Sequence, residues 1–263
     1  MFLKDIDISR HIVQTYMDKL LQSLELDVAL VGAGPANLVA GYFLGSAGLR
    51  AAIFESKLAP GGGMWGGGMM FNEIVVQEDA LEVVEALDIS IKEKGDGYFT
   101  MDSVEATSTI ISRCLKAGTK VFNLVKATDV LFRDQNGSPR VCGLVLSWSP
   151  VENLGLHVDP LGIEAKFVID GTGHPAEICH IVARKMEVKL RTKTGGVVGE
   201  MPLWAEKGEE FTVENTGEVF PGLYVVGMAA NNAFGGPRMG PIFGGMLLSG
   251  RKAAEELARK IRG

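Results

Sequence analysis

The sequence predicts an α/β fold with a mostly parallel central sheet, and three observations carry that expectation. A buried-strand pattern, "DVALVGAG", runs into a glycine turn and then into a run of small residues at helical spacing. A second apolar strand, "RAAIFES", follows at once and carries an acidic residue, Glu55, near its end. Late in the chain the same punctuation returns in "EAKFVIDGTG" and "LYVVGMAA", apolar strands that close on glycine or small residues. With an alternating stretch between them, these elements predict a glutathione-reductase-like, Rossmann-type dinucleotide-binding fold whose parallel central sheet carries a β-meander.

Taken in order, residues 6–23 read as an amphipathic helix with Ile8, Ile12, Val13, Tyr16 and Leu20 on one face. The first strand, the helix over 35–47 and the second strand form a βαβ unit. Residues 60–74, "PGGGMWGGGMMFNEI", interleave glycine with methionine, tryptophan and phenylalanine. That mixture reads as a packed loop whose backbone approaches a ligand. Helices are expected over 77–87 and over 102–117, the second capped by Asp102 or Ser103. Alternation on both sides of "DQNGS" predicts strand, hairpin, strand. A helix over 175–187 follows "EAKFVIDGTG", and a final helix spans 241–261. No linker composition or repeat interrupts the chain, so 1–263 reads as one α/β dinucleotide-binding domain with an N-terminal helix.

The chain has 263 residues, 46% hydrophobic and 22% charged, which suffices for a sizeable core. A net charge of −6 argues against nucleic acid or an anionic membrane surface as partners. No apolar run is long enough to span a membrane, and the acidic N-terminal helix is unlike a signal peptide. Cys114, Cys142 and Cys179 are well separated and form no CxxC pair, as expected of thiols in a reducing cytoplasm.

"VGAGPANLVAG" supplies Gly32 for a tight turn and Gly34 for close approach of backbone amides to a pyrophosphate at a helix N-terminus. The third position of the fingerprint, normally glycine or alanine, is Asn37, and Gly41 one turn later is a substitute for close helix–strand packing. Glu55 has the spacing of a carboxylate that accepts ribose hydroxyls and disfavours a 2′-phosphate. The motif does not separate NAD from FAD. An FAD-dependent oxidoreductase and a non-enzymatic NAD-binding protein are therefore alternatives, although Gly227-Met228 stands where flavoproteins often carry Gly-Asp.

Of the four histidines, His11 reads as a surface residue and His180 as a structural one on its helix. His157 in "GLHVDP" and His174 in "GTGHPAE" lie in glycine-flanked loops, where sites concentrate. Together with Asp159 they read either as loop hydrogen-bonding groups or as a His–carboxylate set for Fe(II), Mn(II) or Zn(II). Arg238 in "GGPRMGPIFGGM" reads as a clamp for a small carboxylate or as the partner of a structural aspartate.

The strings "ESKLAPGGGMWGGGMMFNEIVV", "DGTGHPAEI", "PGLYVVGMAAN" and "GGPRMGPIFGGMLLSG" resemble the thiamine thiazole synthases in their archaeal and bacterial form. The resemblance implies that NAD is a substrate: nicotinamide leaves, the ADP-ribose condenses with glycine, and sulfur is added to give an adenylated thiazole carboxylate. It also implies ring-like homo-octamers with active sites shared between adjacent subunits. The eukaryotic branch carries a sulfur-donating cysteine where this chain has His157. The resemblance is therefore to the branch that uses free sulfide and Fe(II) and turns over repeatedly. It implies Asp159 and His174 as iron ligands, with Asp159 from a neighbouring subunit, and Arg238 on the glycine carboxylate. It implies Gly32, Gly34, Ala36, Glu55, Ser56, Gly63, Ala127 and Met228 as NAD contacts, and a catalytic position for His157.

Overall fold

The computed structural model describes residues 3–135 and 137–263. Helix α1 (Asp5–Leu21) precedes strand β1 (Glu25–Val31), helix α2 (Pro35–Ser46) and strand β2 (Ala51–Glu55). β1 and β2 pair in parallel, with Val28 opposite Ala51 and Val31 opposite Phe54. A strand covered on both faces is apolar at nearly every position, and β1 is buried from Leu26 to Val31, the one charged residue of that stretch, Asp27, being ion-paired to Lys166 at 2.9 Å. From Val28 onward its alternate residues feed two different cores: Val28 and Leu30 join one, Ala29 and Val31 the other.

After the glycine-rich segment come β3 (Glu73–Gln77), α3 (Leu81–Leu87), β4 (Lys92–Gly95), β5 (Tyr98–Asp102) and α4 (Ser103–Lys116). The Asp102 carboxylate caps α4 by accepting from the amides of Val104 and Glu105 at 2.8 and 2.9 Å. Then follow β6 (Lys120–Asn123), β7 (Val125–Gln135), β8 (Ser138–Trp148), α5 (Ser149–Asn153), β9 (Leu161–Asp170) and α6 (Glu177–Lys185). The chain ends with α7 (Ala205–Glu214), β10 (Gly217–Phe220), β11 (Leu223–Val225), α8 (Met228–Phe234) and α9 (Gly244–Arg262).

The main sheet runs β10-β11-β9-β1-β2-β6. From β11 to β6 every neighbour is parallel. β9 also pairs antiparallel with β8, and β8 with β7, which makes the meander. This is the mixed, mainly parallel α/β sheet that the sequence predicts. One face carries α2, α3, α4 and α9, and the other carries the meander with α6 and α8. Small residues set the spacing on the first face: a side chain at Gly250 of α9 would lie 2.2 Å from the Ala36 carbonyl of α2. At Gly41 a side chain would meet Cys114 Sγ at 2.7 Å and Ile53 at 3.2 Å, so this glycine does permit the close helix–strand contact expected of it.

Several expectations need correction. α1 forms, but it has no buried residue within one chain. Tyr16 and Leu20 pack on the second core, with Tyr16 edge-on to Phe122, while Ile8, Ile12 and Val13 stay exposed. The helix expected from residue 77 begins as a 3-10 turn over Glu78–Ala80 and is α-helical only from Leu81. The small antiparallel sheet β3-β5-β4 was not foreseen. The glycine-rich loop is packed only in part: Met64 is buried, whereas Met69, Met70 and Phe71 are exposed. In the β7–β8 hairpin Gln135 pairs with Ser138, and Asn136 of the expected "DQNGS" turn lies outside the described residues. Among the described residues, no helix is long and apolar enough to cross a membrane.

Candidate active site

The parallel strands β1, β9 and β2 deliver their C-terminal ends to one edge of the sheet, where open α/β sheets bind ligands. There a cavity of about 760 Å³ opens. Gly32 leaves β1 with φ +85°, and a side chain on it would sit 2.8 Å from the Gly171 carbonyl after β9, so the turn requires glycine. Asn37 explains the departure from the usual fingerprint. It is wholly buried, and its amide nitrogen donates to the carbonyls of Val31 and Gly32, both at 2.8 Å. It thus fastens the turn that Gly32 makes. Pro35 starts α2 at a position where the missing amide is not needed.

Glu55 is buried at the end of β2. Oε2 accepts from the Ala33 amide and Oε1 from the Lys57 amide, each at 2.7 Å. The Ser56 hydroxyl also donates to Oε1 at 3.4 Å, and Oε2 retains capacity to accept a hydroxyl proton. The glycine-rich segment folds over this turn, with the Gly61 amide donating to the Ala33 carbonyl at 2.7 Å. A side chain at Gly62 would reach the Gly34 Cα at 3.3 Å.

At the other end of the cavity His174 sits in the loop between β9 and α6. Asp170, the fully buried last residue of β9, anchors that loop. Its Oδ1 accepts from the Thr172 amide at 3.0 Å and the Thr172 hydroxyl at 2.7 Å, and its Oδ2 from the Cys179 amide at 3.0 Å. The Thr172 hydroxyl in turn accepts from the Glu177 amide at 2.8 Å. Ala176 is held left-handed at φ +42°, a conformation a non-glycine residue keeps only when its surroundings dictate it. The Asn232 amide also donates to the His174 carbonyl. His174 Nδ1 lies 2.6 Å from Glu200 Oε1, and Arg238 Nε lies 4.0 Å from Glu200 Oε2.

The cavity is lined by Gly32, Gly34, Ala36, Glu55, Ser56, Gly63, Ala127, Met228, His174 and Arg238. These residues come from seven separate segments, and the fold brings them to one space. His157 and Asp159 are elsewhere: both are exposed on the loop before β9, outside that lining. Among the described residues, no three His, Cys, Asp or Glu side chains gather as a metal cage within one chain. His180 is exposed on α6 rather than structural within the core, because it falls on the solvent side of a helix whose inner face is Ile178, Cys179 and Val182. Arg238 faces a glutamate, not the aspartate considered from sequence.

A family model for Thi4 matches residues 9–243. The chain belongs to the Thi4 family. It is 53% identical over 259 residues to the thiamine thiazole synthase of Thermococcus kodakarensis, covering 98% of this chain and 99% of that protein. It is 53% identical over 262 residues to the thiamine thiazole synthase of Methanothermobacter thermautotrophicus, covering 100% of each. The crystal structure of Thermovibrio ammonificans THI4 superposes with a TM-score of 0.98 at 54% identity, covering 100% of both chains.

The cysteines of this Thi4 chain stand apart from the cavity, and none lines it. Burial pushes the Cys114 thiol up to about 12. Burial, reinforced by the neighbouring Asp170, raises Cys179 well above its usual range, and burial also raises Cys142. A thiol held protonated is a poor nucleophile. Sequence reasoning missed Asp170 and Glu200. Asp170 could have been found as the acidic residue that closes the apolar strand "FVID". Glu200, in "GGVVGEMP", carries no periodic or motif signal.

Proposed function

We propose that this chain is a thiamine thiazole synthase that makes an adenylated thiazole carboxylate from NAD, glycine and free sulfide. It uses Fe(II) and turns over repeatedly. One observation carries the reading: a single cavity joins a dinucleotide cradle at Gly32, Gly34 and Glu55 to a polar end at His174 and Arg238, and no cysteine lines it.

Each part of the cavity has a task. The Gly32–Gly34 turn exposes backbone amides at the N-terminus of α2, where the helix dipole favours a pyrophosphate. Glu55 accepts the ribose hydroxyls. Met64, Met228, Met239 and Phe243 supply an apolar lining that excludes water from the reacting carbons. Arg238 holds the glycine carboxylate through parallel hydrogen bonds, which fixes the amine for condensation with the ADP-ribose carbon. His157 occupies the loop position at which the resemblance places a donor cysteine, and the three cysteines present are protonated and remote. Both facts favour sulfur supplied from solution.

The donor set fits Fe(II) in part within one chain. His174 presents an imidazole whose Nδ1 already has a carboxylate partner, which leaves Nε2 for a metal. Asp159 faces outward on its loop and would serve a cavity of an adjacent subunit. When bound, the ion would supply Lewis-acid character and an affinity for sulfur. The exposed apolar face of α1 and the exposed Leu154, Leu156 and Val158 beside Asp159 are surfaces that assembly into a homo-octamer would cover.

The test is anaerobic incubation of the protein with NAD, glycine, sulfide and Fe(II), followed by mass spectrometry of small molecules and of the intact chain. Adenylated thiazole in molar excess over protein, with the protein mass unchanged, is the expected result. Product limited to one per chain with loss of a sulfur atom from the protein would overturn the sulfide reading. Intact NAD and no thiazole would overturn the whole assignment.

A further inference from the structure

We infer that Glu200 is a positioning residue that orients the metal-binding histidine and the carboxylate-binding arginine together. This rests on the function proposed above and extends it to a residue that does not line the cavity. Glu200 stands behind the wall: its side chain is 17% exposed, against 53% for His174 and 58% for Arg238. Its two oxygens divide between the two groups, Oε1 at 2.6 Å from His174 Nδ1 and Oε2 at 4.0 Å from Arg238 Nε.

The contact with His174 is a hydrogen bond and directional, and the one with Arg238 is a longer charge–charge contact. A carboxylate only accepts, so Nδ1 of His174 carries a hydrogen, and in the neutral imidazole the lone pair is then on Nε2. Among the described residues, no hydrogen bond engages Nε2. A histidine that ligates metal through one nitrogen and donates from the other to a carboxylate has its ring plane and tautomer fixed in advance. On Arg238, Nε is the nitrogen turned to Glu200. Nη1 and Nη2 are then left to meet a ligand carboxylate in a fork.

Glu200 is itself held by backbone. The residues around it run beside the segment from α8 to Arg238: the Val198 amide donates to the Ala233 carbonyl at 3.1 Å, and the Gly199 amide to Asn232 at 3.0 Å. The Met201 amide donates to Gly236 at 2.9 Å, and the Arg238 amide returns to Met201 at 3.3 Å. Gly199 takes φ +95°, the turn that aims the next side chain. A strap of this kind gives one carboxylate a fixed place between two functional groups carried on separate loops.

Glu200→Ala and Glu200→Gln are to be compared with wild type in the assembled, full-length protein. The readouts are Fe(II) affinity by anaerobic calorimetry, the visible absorption of bound Co(II), and kcat and KM for glycine. Circular dichroism and NAD affinity check the fold. Glu200→Ala is expected to bind Fe(II) about 10–100-fold more weakly, with an altered Co(II) spectrum and unchanged NAD affinity. Glu200→Gln keeps an acceptor for Nδ1 but turns an uncharged amide toward Arg238. It is expected to retain most of the metal affinity while its glycine KM rises several-fold. Wild type that binds metal, beside a folded Glu200→Ala that binds it equally well with the same spectrum, overturns this role and leaves the proposed function standing. Wild type that binds neither Fe(II) nor Co(II) overturns the metal reading, and this role with it.

Discussion

Replacing Asn37 by alanine restores the residue type that the dinucleotide fingerprint usually carries, and the structure predicts that the change is harmful. The Asn37 amide makes two buried 2.8 Å hydrogen bonds, to the carbonyls of Val31 and Gly32. Each contributes about 1 kcal/mol net. The Val31 carbonyl keeps a second donor, the Gly171 amide at 3.0 Å, so only the Gly32 carbonyl is stripped. That adds roughly 1 kcal/mol of unmet desolvation. In the opposite direction, Asn37 Oδ1 is buried with no partner, and its removal returns a similar amount. Asn37→Ala is therefore expected to destabilise the chain by roughly 2 kcal/mol, a Tm lower by about 4–8 °C for a chain of this size. Because Gly171 lies against the Asn37 amide, the loss also loosens the crossing of the two glycine turns over the cavity. Scanning calorimetry with and without NAD measures both effects. An unchanged or raised Tm with unaltered NAD affinity would refute the account of Asn37 as the fastening of the turn.

Three further outcomes follow from the same geometry. Glu55→Ala removes a carboxylate that serves two backbone amides and lines the cavity; on the proposed function NAD affinity should fall at least tenfold, and wild type should bind NADP more weakly than NAD, both read by calorimetry. With Cys114 pushed up to about 12, roughly one thiol in ten thousand is ionised at pH 8. Cys114 and Cys179 should therefore resist thiol reagents in the native protein and react on unfolding, as mass spectrometry of labelled peptides will show. Burial raises the Glu209 carboxyl above its ordinary 4.5, against the opposing bonds from the Gly245 amide and Gln77. The folded state then holds this proton more tightly than the unfolded state. That contribution is full below pH 4.5 and is lost as pH rises through the raised value. Glu209→Gln should melt higher than wild type at neutral pH and lose that advantage at acid pH; a difference independent of pH contradicts the assignment.

The architecture was largely legible because β1, β2 and the last four residues of β9 are buried and mostly apolar, and β1 and β9 each run into a glycine turn. The β3-β5-β4 sheet escaped notice because its strands are short, and "KEKG" is wholly exposed, with no alternation to betray it. The face of α1 was visible as a pattern, but periodicity reports amphipathy and not what covers the apolar side. In the cavity lining, Gly32, Gly34 and Glu55 were legible through the dinucleotide motif, and Ala36, Ser56, Gly63, Ala127 and Met228 only through the family resemblance. Its supports were not, because Glu200 acts through contacts with residues 26 and 38 positions away, His174 and Arg238. Asn37 looked like a defect in a motif. Its meaning depends on two carbonyls that only the folded turn brings within reach.

The outward-facing loop that carries His157 and Asp159 separates two events in space. On the proposed function, one chain lines the dinucleotide cavity by itself, whereas Asp159, exposed outside that lining, would reach a cavity only from a neighbouring copy. An unassembled chain would bind NAD beside a metal site that still lacks the neighbour's Asp159. Assembly would thus complete the site, and thiazole formation would depend on the concentration of the protein itself as well as on its substrates.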